Sequence, residues 1–257
     1  MSERIEHMEL LLSEELGELW EVRVMNQVAS TMDAARELLP LSQGKAGLVL
    51  ALRQTAGRGR QGRVWRAARE GLYVTFVWQA PAQIARLSAF SLAVGCVLRR
   101  ALAELGAEVK LKWPNDILAC DGRKLSGTLI ELVSQAGVNH ILCGIGINLC
   151  DAPGPASEVV SLQELSGKTF SALEIAKRVA PQLSQALTIY LNDGFKSFVN
   201  DWNLHAFGIG NICQLEVGDR LISGALEGVD SEGRIVLNSG GGSEAFAVGQ
   251  LVGSQRC

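Results

Sequence analysis

The sequence predicts an α+β fold that ends in a small β-barrel. Helix-spaced and strand-like segments interleave as far as residue 207, and from 208 the texture changes to short β runs separated by Gly and Asp. Composition agrees: of 257 residues, 47% are hydrophobic and 20% charged, which supplies a sizeable core. Two domains are expected, a main one over 1–207 and the barrel over 208–257.

Residues 9–19 read as a short amphipathic helix, and Asp33–Leu39 as another, capped by Ser30 or Thr31 and stopped at Pro40. Leu48–Leu52 is a strand-like apolar run, and Leu72–Trp78, rich in aromatic and β-branched residues, a further strand. Residues 86–105 carry helical spacing and end at Gly106. Three strands are expected next, at Glu108–Trp113, Leu125–Val133 and Val138–Leu149, then a Pro/Gly loop at 151–157 and a helix near 171–192. Cys213–Val217, Leu221–Val229, Arg234–Leu237 and Ala245–Val248 are the barrel strands, with Gly240-Gly241-Gly242 a turn between two of them.

Net charge is -3 and pI about 5.7, which argues against broad binding to nucleic acid or anionic membrane. The six cysteines, Cys96, Cys120, Cys143, Cys150, Cys213 and Cys257, are scattered without a C-x-x-C pair, so they read as reduced structural thiols rather than metal ligands or disulfides. No bound metal is expected. The acidic start lacks the order of a signal peptide, and the apolar runs fall short of a membrane span or contain polar residues, so the expected location is the cytoplasm.

Residues 53–69 carry six arginines and no acid, a concentration that asks for an anionic partner. Arginine supplies fixed charge and a donor fork suited to phosphate or carboxylate, while glycine lets the backbone approach it. Gly57, Gly59 and Gly62 spell G-x-G-x-x-G, yet no apolar helix follows and no acid lies in 74–83, so a dinucleotide fold fails. A kinase loop fails too, because V-A-I-K, H-R-D and D-F-G are missing. A loop closing over a nucleotide or acyl phosphate remains, beside a merely solvated basic loop. Ser166-Gly167-Lys168-Thr169 has Leu162 where a P-loop requires glycine, and reads as a loop and helix cap.

Lys110–Asp116 sits where a strand ends, and Pro114 breaks the ladder there. Asn115 and Asp116 then offer an amide and a carboxylate. Asp121-Gly122 is a hairpin signal, so residues 116–131 fold back as two antiparallel strands with Lys124 near the start of the second. A lysine at such a place is either solvated or catalytic. Gly144-Ile145-Gly146-Ile147-Asn148 puts two glycines inside an apolar strand, which fits a ligand lying against the backbone or a plain bulge.

Gly-Arg-Gly-Arg-x-Gly-Arg-x-Trp (57–65), Lys-Trp-Pro-Asn-Asp (112–116), Arg-Lys-Leu-Ser-Gly-x-Leu-Ile-Glu (123–131) and Gly-Ile-Gly-Ile-Asn (144–148), together and in this order, resemble biotin–protein ligases. Ser30-Thr31-Met32-Asp33 matches the Ser-Thr element before that family's first catalytic helix. The resemblance spans roughly 28–165 and, more loosely, the C-terminal barrel. It implies a mixed β-sheet flanked by helices, akin to class II aminoacyl-tRNA synthetases and lipoate ligases, followed by an SH3-like barrel. The activity it implies is ATP-dependent formation of biotinyl-AMP and transfer of biotin to a lysine of a biotin carboxyl carrier domain.

Residue by residue, the resemblance places Ser30, Thr31, Met32 and Gln54 at biotin, the polar ones on its ureido head. Gly127, Gly144 and Gly146 would let the bicyclic ring lie against the backbone, and Gly57, Arg58, Gly59 and Arg60 would form the loop over biotin and the adenylate. Lys124 would contact both the biotin carboxylate and the α-phosphate, making Lys124 and Arg58 the catalytic pair. Arg63, Trp65, Asn115 and Asn148 fall to the nucleotide side with Arg58, Arg60 and Lys124. Biotin and Mg-ATP are then substrates.

Some family members carry a DNA-binding domain ahead of the catalytic one; only 29 residues precede Ser30, so no sequence-specific DNA binding is expected. The family includes monomers and dimers, and an edge strand would allow a homodimer. Residues 66–70 depart from the Ser-Pro-containing segment of the family, and Leu204–Phe207 lacks an aspartate often found before the barrel.

Overall fold

A computed structural model describes residues 2–39, 44–81 and 87–252; Pro40, the expected helix stop, and Cys257 lie outside them. The N-terminal part runs α1 (Ser2–Leu16), β1 (Trp20–Val28), α2 (Thr31–Arg36), β2 (Ala46–Gln54), β3 (Gly57–Arg58), β4 (Val64–Trp65), β5 (Gly71–Gln79) and α3 (Phe90–Glu104). It continues with β6 (Val109–Lys112), β7 (Asp116–Ala119), β8 (Lys124–Gln135), β9 (Val138–Asn148), α4 (Leu162–Ser166), α5 (Ala172–Asp193) and α6 (Val199–Leu204). Five strands follow: β10 (Ile212–Val217), β11 (Arg220–Val229), β12 (Ile235–Asn238), β13 (Ser243–Phe246) and β14 (Gln250–Val252).

The main sheet has the order β1-β2-β5-β9-β8-β7-β6. Only β1–β2 is parallel, so the sheet is mixed, as expected. Side chains alternate across a strand. In β5, Leu72, Val74, Phe76 and Trp78 point into a core shared with α1, α3 and α5. In β9, Ile141, Cys143, Ile145 and Ile147 do the same. The opposite face carries a smaller core of Met32, Ala35, Leu39, Val49, Val77 and Leu142 under α2. Because α2 has only six residues, it covers one end of that face. Gly144 lies at the margin of α2, under Met32, and Gly146 and Gly127 on the stretch that no helix covers, where the alternation puts them.

Three expected helices differ in extent: the one read at 86–105 is α3, which starts at Phe90, with residue 86 outside the described residues. The one read at 9–19 is α1, which begins at Ser2 and ends at Leu16 before Gly17 turns at φ 78. The one read at 33–39 is α2, capped by Ser30, whose Oγ accepts the Met32 N–H at 3.3 Å. Strand β1 was not foreseen. It is one edge of the sheet, and the Glu9 carboxylate of α1 accepts its Val24 N–H at 2.7 Å.

The C-terminal strands form an antiparallel sheet in the order β13-β12-β11-β10-β14, with Gly240–Gly242 between β12 and β13. Among the described residues no pairing joins β13 to β14, so the expected barrel is an open five-stranded sheet in its hydrogen bonding. Its Leu215, Leu226, Ile235 and Leu237 continue the main core. The chain enters it beside β6: Leu111 N–H donates to His205 O and Phe207 N–H to Leu111 O, both at 2.8 Å. Trp113 Nε1 donates to Gly233 O at 3.1 Å, tying the Lys-Trp-Pro-Asn-Asp segment to this sheet. No helix among the described residues is long and apolar enough to cross a membrane.

Helix α5 opens with a capping box in which Ser171 and Glu174 satisfy each other's backbone N–H groups. Ser171→Ala should cost about 1 kcal/mol of stability. Hydrogen bonds from the Ser171 N–H and then its hydroxyl hold the Glu174 carboxyl below its ordinary value. Its contribution is therefore complete above the usual glutamate range and lost as pH falls through the lowered value. Denaturant titrations of wild type and Glu174→Ala should differ at neutral pH and converge in acid.

Candidate active site

The uncovered face of the sheet is the floor of a cavity of about 170 Å³. At one end of it stand Ser30, Thr31 and Met32 at the start of α2, with Gln54 at the end of β2. Thr31 N–H donates to Gln54 Oε1 at 2.9 Å, and Thr31 Oγ1 lies 3.3 Å from the same oxygen. Behind them Thr75 Oγ1 donates to Thr31 Oγ1 at 2.9 Å. Ser30, Thr31 and Thr75 are buried, so this is a desolvated cluster of short polar side chains.

The glycines of the floor are there because side chains lie on them. A Cβ on Gly144 would meet Met32 Sδ at 2.7 Å, one on Gly146 the Trp65 indole at 2.6 Å, and one on Gly127 the same indole at 3.1 Å. Pairing puts Gly127 opposite Gly146 across β8 and β9, so the two make one flat patch.

The arginine–glycine run folds back as the hairpin β3–β4, with Gly57 opposite Trp65 and a tip at Arg60–Gly62 where Gln61 takes φ 55. Arg58, Gly59, Arg60, Arg63 and Trp65 all line the cavity. Arg58 is held by Asp33 at 2.9 Å and Glu131 at 3.7 Å, and Arg36 pairs with the same two carboxylates. Arg63 donates to Gln250 of β14, which joins the hairpin to the C-terminal sheet. Burial pushes the Arg60 guanidinium down, against the pull of Asp116.

Lys124 comes from the other wall. Its Nζ is 2.6 Å from Asp116 Oδ1 and 5.5 Å from the Trp65 ring centroid. Its backbone is clamped: Lys124 N–H donates to Glu158 O at 2.8 Å, and Lys124 O accepts from Val160 N at 3.0 Å. Burial lowers the Lys112 pKa nearby, opposed by Asp116 and assisted by Lys124. A single carboxylate, Asp116, thus stands among Arg60, Lys112 and Lys124, and the cavity mouth is a place for an anion.

Of the residues expected to touch ligands, only Gly57 and Asn148 do not line this cavity. A Cβ on Gly57 would sit 2.3 Å from Gln54 Nε2, so that glycine makes room for the amide. Asn148 is 2% exposed; its amide donates to Val160 O at 3.2 Å and Lys124 O at 3.4 Å, which pins the Lys124 strand. Asn115 reaches the wall, but its Nδ2 is engaged by Thr128 O at 2.7 Å. The sequence offered Asp116 only as a carboxylate at a strand end and Asp33 only within the Ser-Thr element, and gave no role to Glu131 or Thr75; in the structure Asp116 pairs with Lys124, and Asp33 and Glu131 with Arg58. For Thr75 the available signal was a hydroxyl inside a strand of otherwise large hydrophobic and aromatic residues.

The cavity joins a buried polar cluster to a group of cationic side chains on a mixed sheet, and comparison with known proteins gives this arrangement a family. Residues 24–148 match the biotin/lipoate A/B protein ligase family model. The biotin–[acetyl-CoA-carboxylase] ligase of Paracoccus denitrificans is 30% identical over 241 residues, covering 87% of this chain and 98% of that protein. The enzyme of the same name from Mycobacterium tuberculosis is 31% identical, over 90% of this chain and 89% of that protein. The bifunctional ligase/repressor BirA of Escherichia coli is 32% identical over 205 residues, and this chain spans 63% of its length. The structure of biotin protein ligase from Aquifex aeolicus in complex with biotin and ATP superposes with a TM-score of 0.79 at 28% identity, covering 90% of this chain and 97% of that one. The chain belongs to the biotin–protein ligase family.

Proposed function

We propose that this chain activates biotin with Mg-ATP and transfers it to a lysine of a biotin carboxyl carrier domain. A biotin carboxylate oxygen attacks the α-phosphorus of ATP, pyrophosphate leaves, and biotinyl-AMP results. The acceptor amine then attacks the acyl carbon and AMP departs, the amine's proton passing to solvent. The observation that carries this reading is the joining, in one cavity, of a buried polar cluster, a glycine floor and a cationic mouth. A ureido head, a bicyclic ring and an acyl phosphate need those three surfaces in that order.

In this reading Ser30, Thr31 and Gln54 take the head group, and Gly127, Gly144 and Gly146 carry the ring beside Met32, the Trp65 indole that lies over Gly127 and Gly146 moving aside. Lys124 neutralises the carboxylate and α-phosphate, while Arg60, Arg63, Trp65 and Asn115 serve the nucleotide. Asn148 acts through the Lys124 backbone. Residues 1–207 form the catalytic domain and 208–257 an accessory one. The reaction takes place in the cytoplasm, and nucleic acid and membrane have no part in it. Beyond the short β7, the edge of β8 offers a second copy of the chain a pairing site for a homodimer. Biotin-dependent release of pyrophosphate from ATP tests the first step; its absence in protein that binds biotin would contradict the reading.

Arg58 anchors the hairpin over the cavity through Asp33 and Glu131. Because an exposed acyl-adenylate hydrolyses, a covering loop excludes water and retains the intermediate. Arg58→Ala should weaken binding and raise the fraction of biotinyl-AMP found free in solution several-fold. Equal retention in both proteins would count against that role.

A further inference from the structure

Thr75 is fully buried in β5 and stands behind the cavity rather than on its wall. Its hydroxyl ends a relay whose directions are all fixed. A backbone N–H can only donate, so the Gln54 atom facing Thr31 N at 2.9 Å is the carbonyl oxygen. That oxygen has no hydrogen, so Thr31 Oγ1, 3.3 Å away, gives it its proton. The Thr31 hydroxyl is then spent as a donor, and the 2.9 Å contact with Thr75 must be Thr75 O–H donating to Thr31.

The relay decides what the pocket offers a ligand. Gln54 Oε1 accepts twice from Thr31, which leaves the Nε2 hydrogens, on the side where Gly57 makes room for the amide, as the groups Gln54 has to offer. Ser30 Oγ already accepts the Met32 N–H, so its own O–H is available to donate. The cluster therefore presents the Ser30 and Gln54 donors, with Thr31 Oγ1 left a single lone pair after it accepts from Thr75, and an unmet buried donor is costly. We infer that Thr75 is a positioning residue for specificity: by committing the Thr31 hydroxyl to Gln54, it makes the head-group pocket require a hydrogen-bond acceptor.

Resting on the biotin reading, this selects a urea oxygen over a donor at the same place. 2-Iminobiotin is the probe, since it carries a protonated imine at neutral pH where biotin has its carbonyl oxygen. Removing the Thr75 hydroxyl frees Thr31 to turn, so that its oxygen can accept from such a donor.

The experiment measures dissociation constants for biotin and 2-iminobiotin, with pyrophosphate release at saturating biotin, in wild type, Thr75→Val and Thr75→Ser. Thr75→Val should bind biotin roughly three- to tenfold more weakly, the span of one buried hydrogen bond. Its preference for biotin over 2-iminobiotin should fall by a similar factor, with release at saturation within about twofold of wild type. Thr75→Ser, which keeps the donor, should match wild type. Equal loss of both ligands in Thr75→Val, or no loss, overturns the inference, because a packing defect does not discriminate between them. Thr75→Ala carries the same test should the valine variant not fold. If wild type itself releases no pyrophosphate with biotin, the proposed function fails and this inference falls with it; if wild type is active and selectivity is unmoved, only the inference fails.

Discussion

Lys124→Ala is expected to lower biotin-dependent pyrophosphate release by about 100- to 1,000-fold, the usual cost of removing one preorganised charge partner from a developing anion. The ammonium lies between the glycine floor and the cationic mouth, 2.6 Å from Asp116, where the carboxylate and α-phosphate would meet. The loss should be local. The side chain is 35% exposed, and the strand is held by backbone bonds to Glu158 and Val160 that alanine keeps. Thermal unfolding should therefore match wild type. Lys124→Arg should recover only part of the rate, because a planar fork does not replace a compact ammonium. Release within threefold of wild type for the alanine variant would remove Lys124 from the chemistry.

Gly146→Val should weaken biotin binding by roughly 10- to 100-fold, the range of forced overpacking. Its first added carbon would stand 2.6 Å from the Trp65 indole. Trp65 is only half-buried on the β3–β4 hairpin, so it can yield while the sheet stays intact. The branched side chain would then occupy the patch shared with Gly127, where a bicyclic ring has to lie. Isothermal titration with biotin, beside an unfolding curve, separates the two effects. Unchanged biotin affinity would mean that the ring does not use this floor.

The site was more legible in the sequence than the fold around it. Its residues lie in four short motifs whose composition is unusual for packing reasons: glycines inside strands, arginines crowded without acids, a Pro-Asn-Asp strand end. Those departures needed no tertiary knowledge to notice. Partners were harder to see, because Lys124 and Asp116 meet through a hairpin, whereas Arg58 meets Glu131 only when β8 is set beside the loop. Strand β1 was missed although Val22 and Val24 alternate with exposed Arg23; its polar edge position weakened the pattern. The helix at 9–19 was read too short and too late because residues 2–8 are mostly polar. Strand β14 spans only Gln250–Val252, too short to show any period, and is fixed by pairing with β10. Asn148 was read as a ligand contact from its motif, and its burial against Lys124 O and Val160 O could come only from the fold.

The central claim, that this cavity makes biotinyl-AMP and passes biotin to a protein lysine, is tested most directly by weighing the acceptor. The protein would be mixed with Mg-ATP and a purified biotin carboxyl carrier domain, with biotin in one tube and lipoate in another. The acceptor should gain the mass of one biotin in the first tube and nothing in the second. A gain only with lipoate would contradict the substrate, and no gain in either tube, with biotin binding still measurable, would contradict the reaction.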